Sequence, residues 1–275
     1  MTAFQAFVLG IVQGVSEFLP ISSSAHLVLV PWALHWPDPG LSFDVALHVG
    51  TLIAVLWYFR AEWARLARAA VKLASRGGRP AEGDAGVEER RVWYLIIATV
   101  PGAIAGKLLE RQADEAFRSP LLIAATLMVM GVVLWVVDIR ARQTRPLKAL
   151  TARDAVVMGV AQILALVPGV SRSGSTITAG RALGFDRDSA AVFSFLMSMP
   201  IIAGAALLKV PHLLASGVAG VPLAVGITAS AVSGWLAIAV VLRYVKSHSY
   251  GAFAVYRLLL GAAVLALAAA RHAYA

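Results

Sequence analysis

One stretch constrains this chain more than any other: Leu166 to Ala179, reading LVPGVSRSGSTITA. It lies inside strongly apolar sequence, yet it carries an arginine, three serines, two threonines and a Pro-Gly break. Arginine is costly at membrane depth, so one placed there marks a candidate functional site. Pro168 and Gly169 interrupt a helix, and the residues after them can start a new one. The first turn of that new helix offers unpaired N–H groups and a positive dipole end. Hydroxyls from Ser171, Ser173, Ser175 and Thr176 and the guanidinium of Arg172 complete an anion cradle. Phosphate is the anion that best fits a forked guanidinium plus helix-start amides.

Composition puts this stretch in a bilayer. Of 275 residues, 59% are hydrophobic and 14% charged, where a soluble domain carries about 25% charged. An integral membrane protein is expected, with several apolar runs near spanning length. The absence of cysteine excludes disulfides and thiol chemistry. The N-terminus lacks a basic region and an A-x-A site before its apolar run, so no cleavable signal peptide is expected. The net charge of +9 is not a nucleic-acid signal. The basic residues gather mostly in two short connecting segments, where they read as topology determinants.

Along the chain, residues 4–19 are apolar but contain Gln13 and Glu17, followed by Pro20. Residues 21–34 begin ISSSAH. Neither half is long enough to cross about 30 Å of hydrocarbon, so together they predict a re-entrant hairpin of two half-helices broken near Pro20. Broken backbone at that depth must be buried in protein or line a wet cavity. Spans are expected at about 42–59, 92–109 and 120–137. A second broken element follows at 154–184, and then spans at about 189–208, 219–242 and 252–270. Between them, 60–91 and 138–153 are basic, and 60–91 has a Gly-rich middle.

The pattern repeats internally. DAVVMGVAQILALVPGVSRS echoes QAFVLGIVQGVSEFLPISSS, pairing Gly10 with Gly159, Gln13 with Gln162, Ser22 with Ser171 and Ser24 with Ser173, all at an offset of 149. The expected fold is an all-α polytopic membrane protein, one membrane domain over residues 1–275. Repeat one covers about 1–150 and repeat two about 151–275, each a re-entrant helical hairpin plus three transmembrane helices. An odd number of spans per half inverts the second half. The same assignment puts 60–91, 138–153 and 243–251 inside, and both termini outside, in keeping with the positive-inside rule.

The polar residues of the hairpins divide unequally. Glu17 is either a carboxylate at a helix end near the headgroups or a general base or metal ligand beside Arg172. Ser22, Ser23 and Ser24 exceed what an N-cap needs, and His26 lies one turn from Ser23. A serine attacks phosphorus only if a base takes its proton; Glu17 and His26 are the candidates. Asp44 and His48 share one face of the first full span, as second-shell partners of the site or as a mutual hydrogen-bonded pair. Gln13 and Gln162 serve broken backbone, with Gln13 also near Glu17. Arg181, Asp186, Arg187 and Asp188 read as a solvated turn. Histidine and cysteine spacing shows no metal site. One carboxylate, a phosphate and waters would suffice for Mg²⁺ or Ca²⁺.

These residues resemble a known family. QGVSE followed by FLPISSSAH resembles the (E/Q)-x-x-x-E segment of the bacitracin-resistance type undecaprenyl-diphosphatases, and PGVSRSGST resembles that family's P-G-x-S-R-S-x-x-T motif in full. FDVALHVGT, Phe43 to Thr51, is also similar. At position 13 this chain has Gln where many members carry Glu. The resemblance covers essentially the whole chain. It implies hydrolysis of undecaprenyl diphosphate to undecaprenyl phosphate, recycling a lipid carrier for cell-wall synthesis and conferring bacitracin resistance. It further implies a divalent cation and a site on the outer side of the bacterial inner membrane. By the same resemblance, Glu17, Ser22, Ser23, His26, Ser171, Arg172, Ser173 and Thr176 fall at active-site positions.

The expected mechanism lays the prenyl tail in a lipid-open groove and the diphosphate between the hairpin tips. Arg172, Ser171, Ser173 and Thr176, with Ser22 and Gln13, bind phosphate. Ser23 is the candidate nucleophile, Glu17 its base or a cation ligand, and His26 an acid or second base. Attack by a metal-held water is the alternative. The rival of another class is a transporter or flippase for a prenyl phosphate lipid, since broken helices at mid-depth are a transporter architecture. A second membrane phosphatase superfamily, with a P-S-G-H signature, is disfavoured because no histidine follows Arg172 before His212. The partners are membrane lipids and the lipid substrate, with no nucleic acid; a homo-oligomer is left open.

Overall fold

A computed structural model describes residues 1–109, 118–215 and 220–273. Its helices are α1 (Ala3–Phe18), α2 (Ser23–Leu34), α3 (Gly40–Tyr58), α4 (Arg60–Ser75), α5 (Val87–Leu108), α6 (Pro120–Arg140), α7 (Ala152–Ala161), α8 (Arg172–Ala182), α9 (Arg187–Ala215), α10 (Val221–Val245) and α11 (Gly251–Ala273). Among the described residues there is no strand beyond a single bridge between Arg145 and Phe185. Five helices, α3, α6, α9, α10 and α11, are long and apolar enough to cross a membrane. The expected span at 92–109 lies in α5, whose 22 residues give the length but whose first turn carries Glu88 and Glu89. The basic 60–91 segment is helical through α4, and its charges are partly paired: Arg91 donates to Glu62 at 2.5 Å and Arg76 to Glu89 at 2.8 Å.

Both broken elements fold as expected. At 16 and 12 residues, α1 and α2 reach about 24 Å and 18 Å, each short of the bilayer core of about 30 Å. The second element runs through α7, a short 3₁₀ turn (Gln162–Leu166) and α8. The two repeats agree in detail. Thr2 and Thr151 each form a capping box with the residue three positions on, Gln5 and Asp154. Ser22 and Ser171 each cap a half-helix from a positive φ, 75° and 74°. A non-glycine residue held there costs about 1–3 kcal/mol and persists only where surrounding structure enforces it. Each of these pairs is separated by the 149 positions read from the sequence.

Packing follows the same exchange of halves. Helix α1 lies along α10 and α7 along α5; α3 meets α9 and α6 meets α11. Between apolar helices in lipid, close approach and van der Waals contact replace the hydrophobic effect. The α1–α10 contact shows this. Gly10 and Gly14, a G-x-x-x-G pair, lie against Gly226, Ser230 and Gly234. A Cβ on Gly14 would sit 2.6 Å from the Gly234 nitrogen. Phe18 at the end of α1 stacks edge-on against Phe195 of α9, with centroids 5.3 Å apart. Around them Val55, Ile177, Ile238 and Val241 form a buried cluster that joins both hairpins to the spans.

One sequence expectation is corrected here. Arg181 does not lie in a solvated turn; it is 0% exposed. Its Nε donates to Asp138 at 2.8 Å, and Asp138 also accepts from Arg187 at 2.9 Å and from the Tyr250 amide at 3.0 Å. A polar run looked solvated because its partner lies on α6, 43 residues earlier.

Candidate active site

The hairpin tips meet at Glu17. Its position at the last turn of α1 puts the carboxylate opposite the starts of α2 and α8, and it is only 5% exposed. The two carboxylate oxygens are used differently. Oε2 accepts from Ser23 Oγ at 2.6 Å and Gln13 Nε2 at 3.1 Å, and lies 3.3 Å from His48 Nε2. Oε1 accepts from Arg172 Nη2 at 3.1 Å and Nε at 3.4 Å. Arg172 is braced from behind by the Ser194 carbonyl, 3.0 Å from Nη1.

The rest of the P-G-x-S-R-S-x-x-T segment builds the tips. Ser173 Oγ lies 3.1 Å and 3.0 Å from the carbonyls of Glu17 and Leu19, so it fastens the second tip to the end of α1. Ser22 Oγ accepts from the Gly169 amide at 3.0 Å, the reciprocal tie from tip to tip. Ser171 Oγ caps Gly174, and Thr176 Oγ1 is 2.6 Å from Ser194 Oγ. Helix geometry leaves the amides of Ser23, Ser24, Arg172 and Ser173 without intrahelical acceptors. Two helix starts, each with a positive dipole end, thus lie beside one carboxylate and reach it through the side chains of Ser23 and Arg172.

The two histidines exchange their expected standings. His48 reaches Glu17 directly. Its Nδ1 is 2.6 Å from the Asp44 carbonyl, which can only accept, so Nδ1 carries a proton and Nε2 faces the carboxylate. His26 is held by the same local device, Nδ1 to the Ser22 carbonyl at 2.7 Å, but its Nε2 meets Tyr256 Oη at 2.7 Å rather than Glu17 or Ser23. The Asp44 carboxylate turns away to Arg118 at 3.0 Å. The expected mutual pair is therefore a backbone contact, and the Asp44 side chain stands outside the cluster.

Sequence reasoning passed over one residue that organises the site. Arg257, in the second turn of α11, is 0% exposed. It donates to the carbonyls of Pro20 at 3.1 Å, Gly169 at 2.7 Å, Val170 at 3.0 Å and Leu127 at 3.1 Å. One guanidinium thus spans both tips. The signal was present: an arginine inside an expected span is the same feature that singled out Arg172.

Among the described residues no group of three or more His, Cys, Asp or Glu side chains is placed to hold a metal ion. A hard cation has a smaller opening. Gln13 Oε1 is buried with no hydrogen-bond partner among the described residues, one turn from the Glu17 carboxylate. An amide oxygen beside a carboxylate suits Mg²⁺ or Ca²⁺ if phosphate and water complete the shell. Gln162 Oε1, its counterpart in the other repeat, is likewise unpartnered, but Leu166 takes the place of a carboxylate.

Fold and site together define a multi-pass membrane protein that gathers a serine, a carboxylate and a guanidinium where two broken helices meet. The chain belongs to the family described as bacitracin resistance protein BacA, whose profile matches residues 6–263. It is 56% identical over 271 residues to an undecaprenyl-diphosphatase of Gemmatimonas aurantiaca, covering 98% of this chain and all of that one. It is 53% identical to the protein of that name from Moorella thermoacetica, over 97% of this chain and 98% of the relative. The corresponding protein of Pelotomaculum thermopropionicum is 48% identical, with 98% of each chain covered.

Proposed function

We infer that this protein hydrolyses undecaprenyl diphosphate to undecaprenyl phosphate and inorganic phosphate. The observation that carries this is the division of Glu17: Ser23 Oγ at 2.6 Å on one oxygen and Arg172 at 3.1 Å on the other. A base with a bound hydroxyl and a guanidinium beside it is the arrangement that phosphoryl transfer needs. Near-full-length identity to proteins of that name supports the choice of substrate.

In the reaction, Ser23 Oγ attacks the terminal phosphorus as Glu17 Oε2 takes its proton. The bond to the bridging oxygen breaks, and undecaprenyl phosphate leaves with those electrons. Water then hydrolyses the phosphoserine, with Glu17 again handling the proton. Arg172 and the helix-start amides hold the phosphoryl oxygens where charge grows. Gln13 and Glu17 would hold a divalent cation together with the diphosphate, and such an ion supplies charge neutralisation there.

The two halves sit inverted in a bacterial inner membrane, with the site open to the outer side; the distribution of basic residues between connecting segments supports this. Activity there recycles the lipid carrier and contributes to bacitracin resistance, in keeping with the family description.

The test is phosphate release from undecaprenyl diphosphate by purified protein in detergent, where no second compartment exists. Wild type should release phosphate and Arg172→Ala should be slower by about 100-fold or more. Wild-type protein that binds the lipid without releasing phosphate would sink the hydrolase and favour a carrier.

A further inference from the structure

Helix α4 carries more arginine and lysine than its surroundings pair, and its place in the fold says where those charges sit. It packs on α5, with Leu66, Ala69 and Leu73 buried. It does not run alongside that span. Glu62, near the start of α4, accepts from Arg91, and Arg76, at its end, donates to Glu89. Along their helix axes Glu62 and Arg76 lie about 21 Å apart, whereas Glu89 and Arg91 lie about 3 Å apart. Parallel axes would separate both pairs equally, so α4 crosses the start of α5 at a steep angle.

Tryptophans fix the depth of the crossing. Trp57, in the last turn of α3, is 64% exposed and holds Arg60, the first residue of α4, 5.5 Å from its ring centroid. Trp93 on α5 is also exposed, and its Nε1 donates to the Gly78 carbonyl, just beyond the end of α4, at 3.1 Å. Exposed indoles gather at the membrane–water interface. Both ends of α4 therefore lie at that depth, and the helix lies flat within it.

The exposed side of α4 is divided to match. Ala64, Ala67, Val71 and Ala74 form one exposed apolar strip, with Val71 72% exposed. Arg65, Arg68 and Lys72, also exposed, form a basic strip about 110° further round the helix. A buried face, an apolar strip and a basic strip suit a helix in the interface plane, with protein, acyl chains and headgroups on its three sides. The basic strip is short of counter-charge. Glu62 is shared between Arg65 and Arg91. Arg68 and Lys72 make no ion pair among the described residues, nor does Arg79 beyond the helix. Basic residues that only orient a span need no flat helix and no exposed apolar neighbours.

Resting on the inner placement of residues 60–91 proposed above, we propose that α4 is a binding surface for anionic phospholipid of the inner leaflet. Arg68 and Lys72 take the headgroup phosphate, and Ala67 and Val71 rest on the acyl chains. A zwitterionic lipid carries its own ammonium beside the phosphate and leaves the basic strip unneutralised, whereas a lipid of net negative charge supplies the missing counter-charge. A soluble anion would leave the apolar strip uncovered.

The experiment incubates full-length protein in detergent with equal amounts of phosphatidylglycerol and phosphatidylcholine and measures the lipid retained after repurification by mass spectrometry. Wild type should retain phosphatidylglycerol over phosphatidylcholine. Arg68→Gln combined with Lys72→Gln should lower that ratio by about tenfold or more, and Val71→Asp, on the apolar strip, should lower it too. Arg140→Gln combined with Arg142→Gln removes the same charge from another exposed basic segment and should leave the ratio at the wild-type value. No preference in wild type, an equal fall in the two double variants, or displacement of the lipid by glycerol phosphate at equal concentration would overturn the proposal. The chain has no cysteine, so Glu82→Cys provides a single thiol in the exposed loop after α4. It should resist a membrane-impermeant maleimide in intact spheroplasts; labelling there would overturn the inner placement and leave the lipid preference standing. Absence of phosphate release by wild type would overturn the hydrolase reading without touching this one.

Discussion

Ser23 and Arg172 occupy the same slot in the two repeats, the first residue of each half-helix, and both donate to Glu17, from 2.6 Å and 3.1 Å. Each follows a serine cap at positive φ. One backbone design is therefore used twice, once to present a hydroxyl and once to present a cation. Ser23→Ala should abolish phosphate release to within about 100-fold of background, and acid-quenched wild type should yield phosphoserine at position 23. Turnover retained in Ser23→Ala would transfer the attack to water.

His48 and His26 are expected to differ in the parameter they move. His48 touches the carboxylate, so His48→Gln should lower kcat by about 100-fold, the low end for an acid–base partner, with little change in KM. His26→Gln should act mainly on KM. Steady-state kinetics of the two variants would show the split, and equal effects on kcat would contradict it.

Arg257→Met leaves four buried carbonyls without their donor, at about 1–3 kcal/mol for each group left unsatisfied. The variant should unfold at clearly lower temperature in detergent and lose activity. Arg257→Lys, which keeps the charge but not the fork, should recover part of the stability. Thermal unfolding followed by tryptophan fluorescence reads both.

Gly14→Val places a branched side chain where even a Cβ meets the Gly234 backbone. The α1–α10 contact must open, which displaces the helix that carries Glu17. Both the unfolding temperature and kcat should fall. By contrast Gly77→Ala, at a position with open space around its Cβ, should leave kcat unchanged, at a small cost for its positive φ.

Bacitracin susceptibility offers a cellular check. Overproduction of wild-type protein in a sensitive bacterium should raise resistance, and Glu17→Gln at equal abundance should not. Equal protection by both would separate resistance from catalysis.

The broken elements, the spans and the Glu17–Arg172 encounter were legible because each leaves a local mark: a Pro-Gly break, an apolar run, a charge at membrane depth. The repeat was legible from a fixed offset, and the matching capping boxes at Thr2 and Thr151 extend it beyond the residues that revealed it. Partners distant in sequence were not legible. Arg181 looked solvated because Asp138 belongs to another helix. His48 read as a second-shell partner rather than a direct contact of Glu17 because the register between α1 and α3 is set by glycine contacts with α10, which no single segment displays. His26 seemed close because three residues along a helix share a face, yet the imidazole points to α11.

Arg257 adds a constraint on motion. A carrier that alternates between two sides must let its halves rock apart across the substrate. Here a single side chain grips the elbow of each half, and separating them would strand a bare cation in hydrocarbon. Turnover in this protein is therefore compatible with a nearly rigid interior, the mobile component being the lipid that slides in from the bilayer and out again.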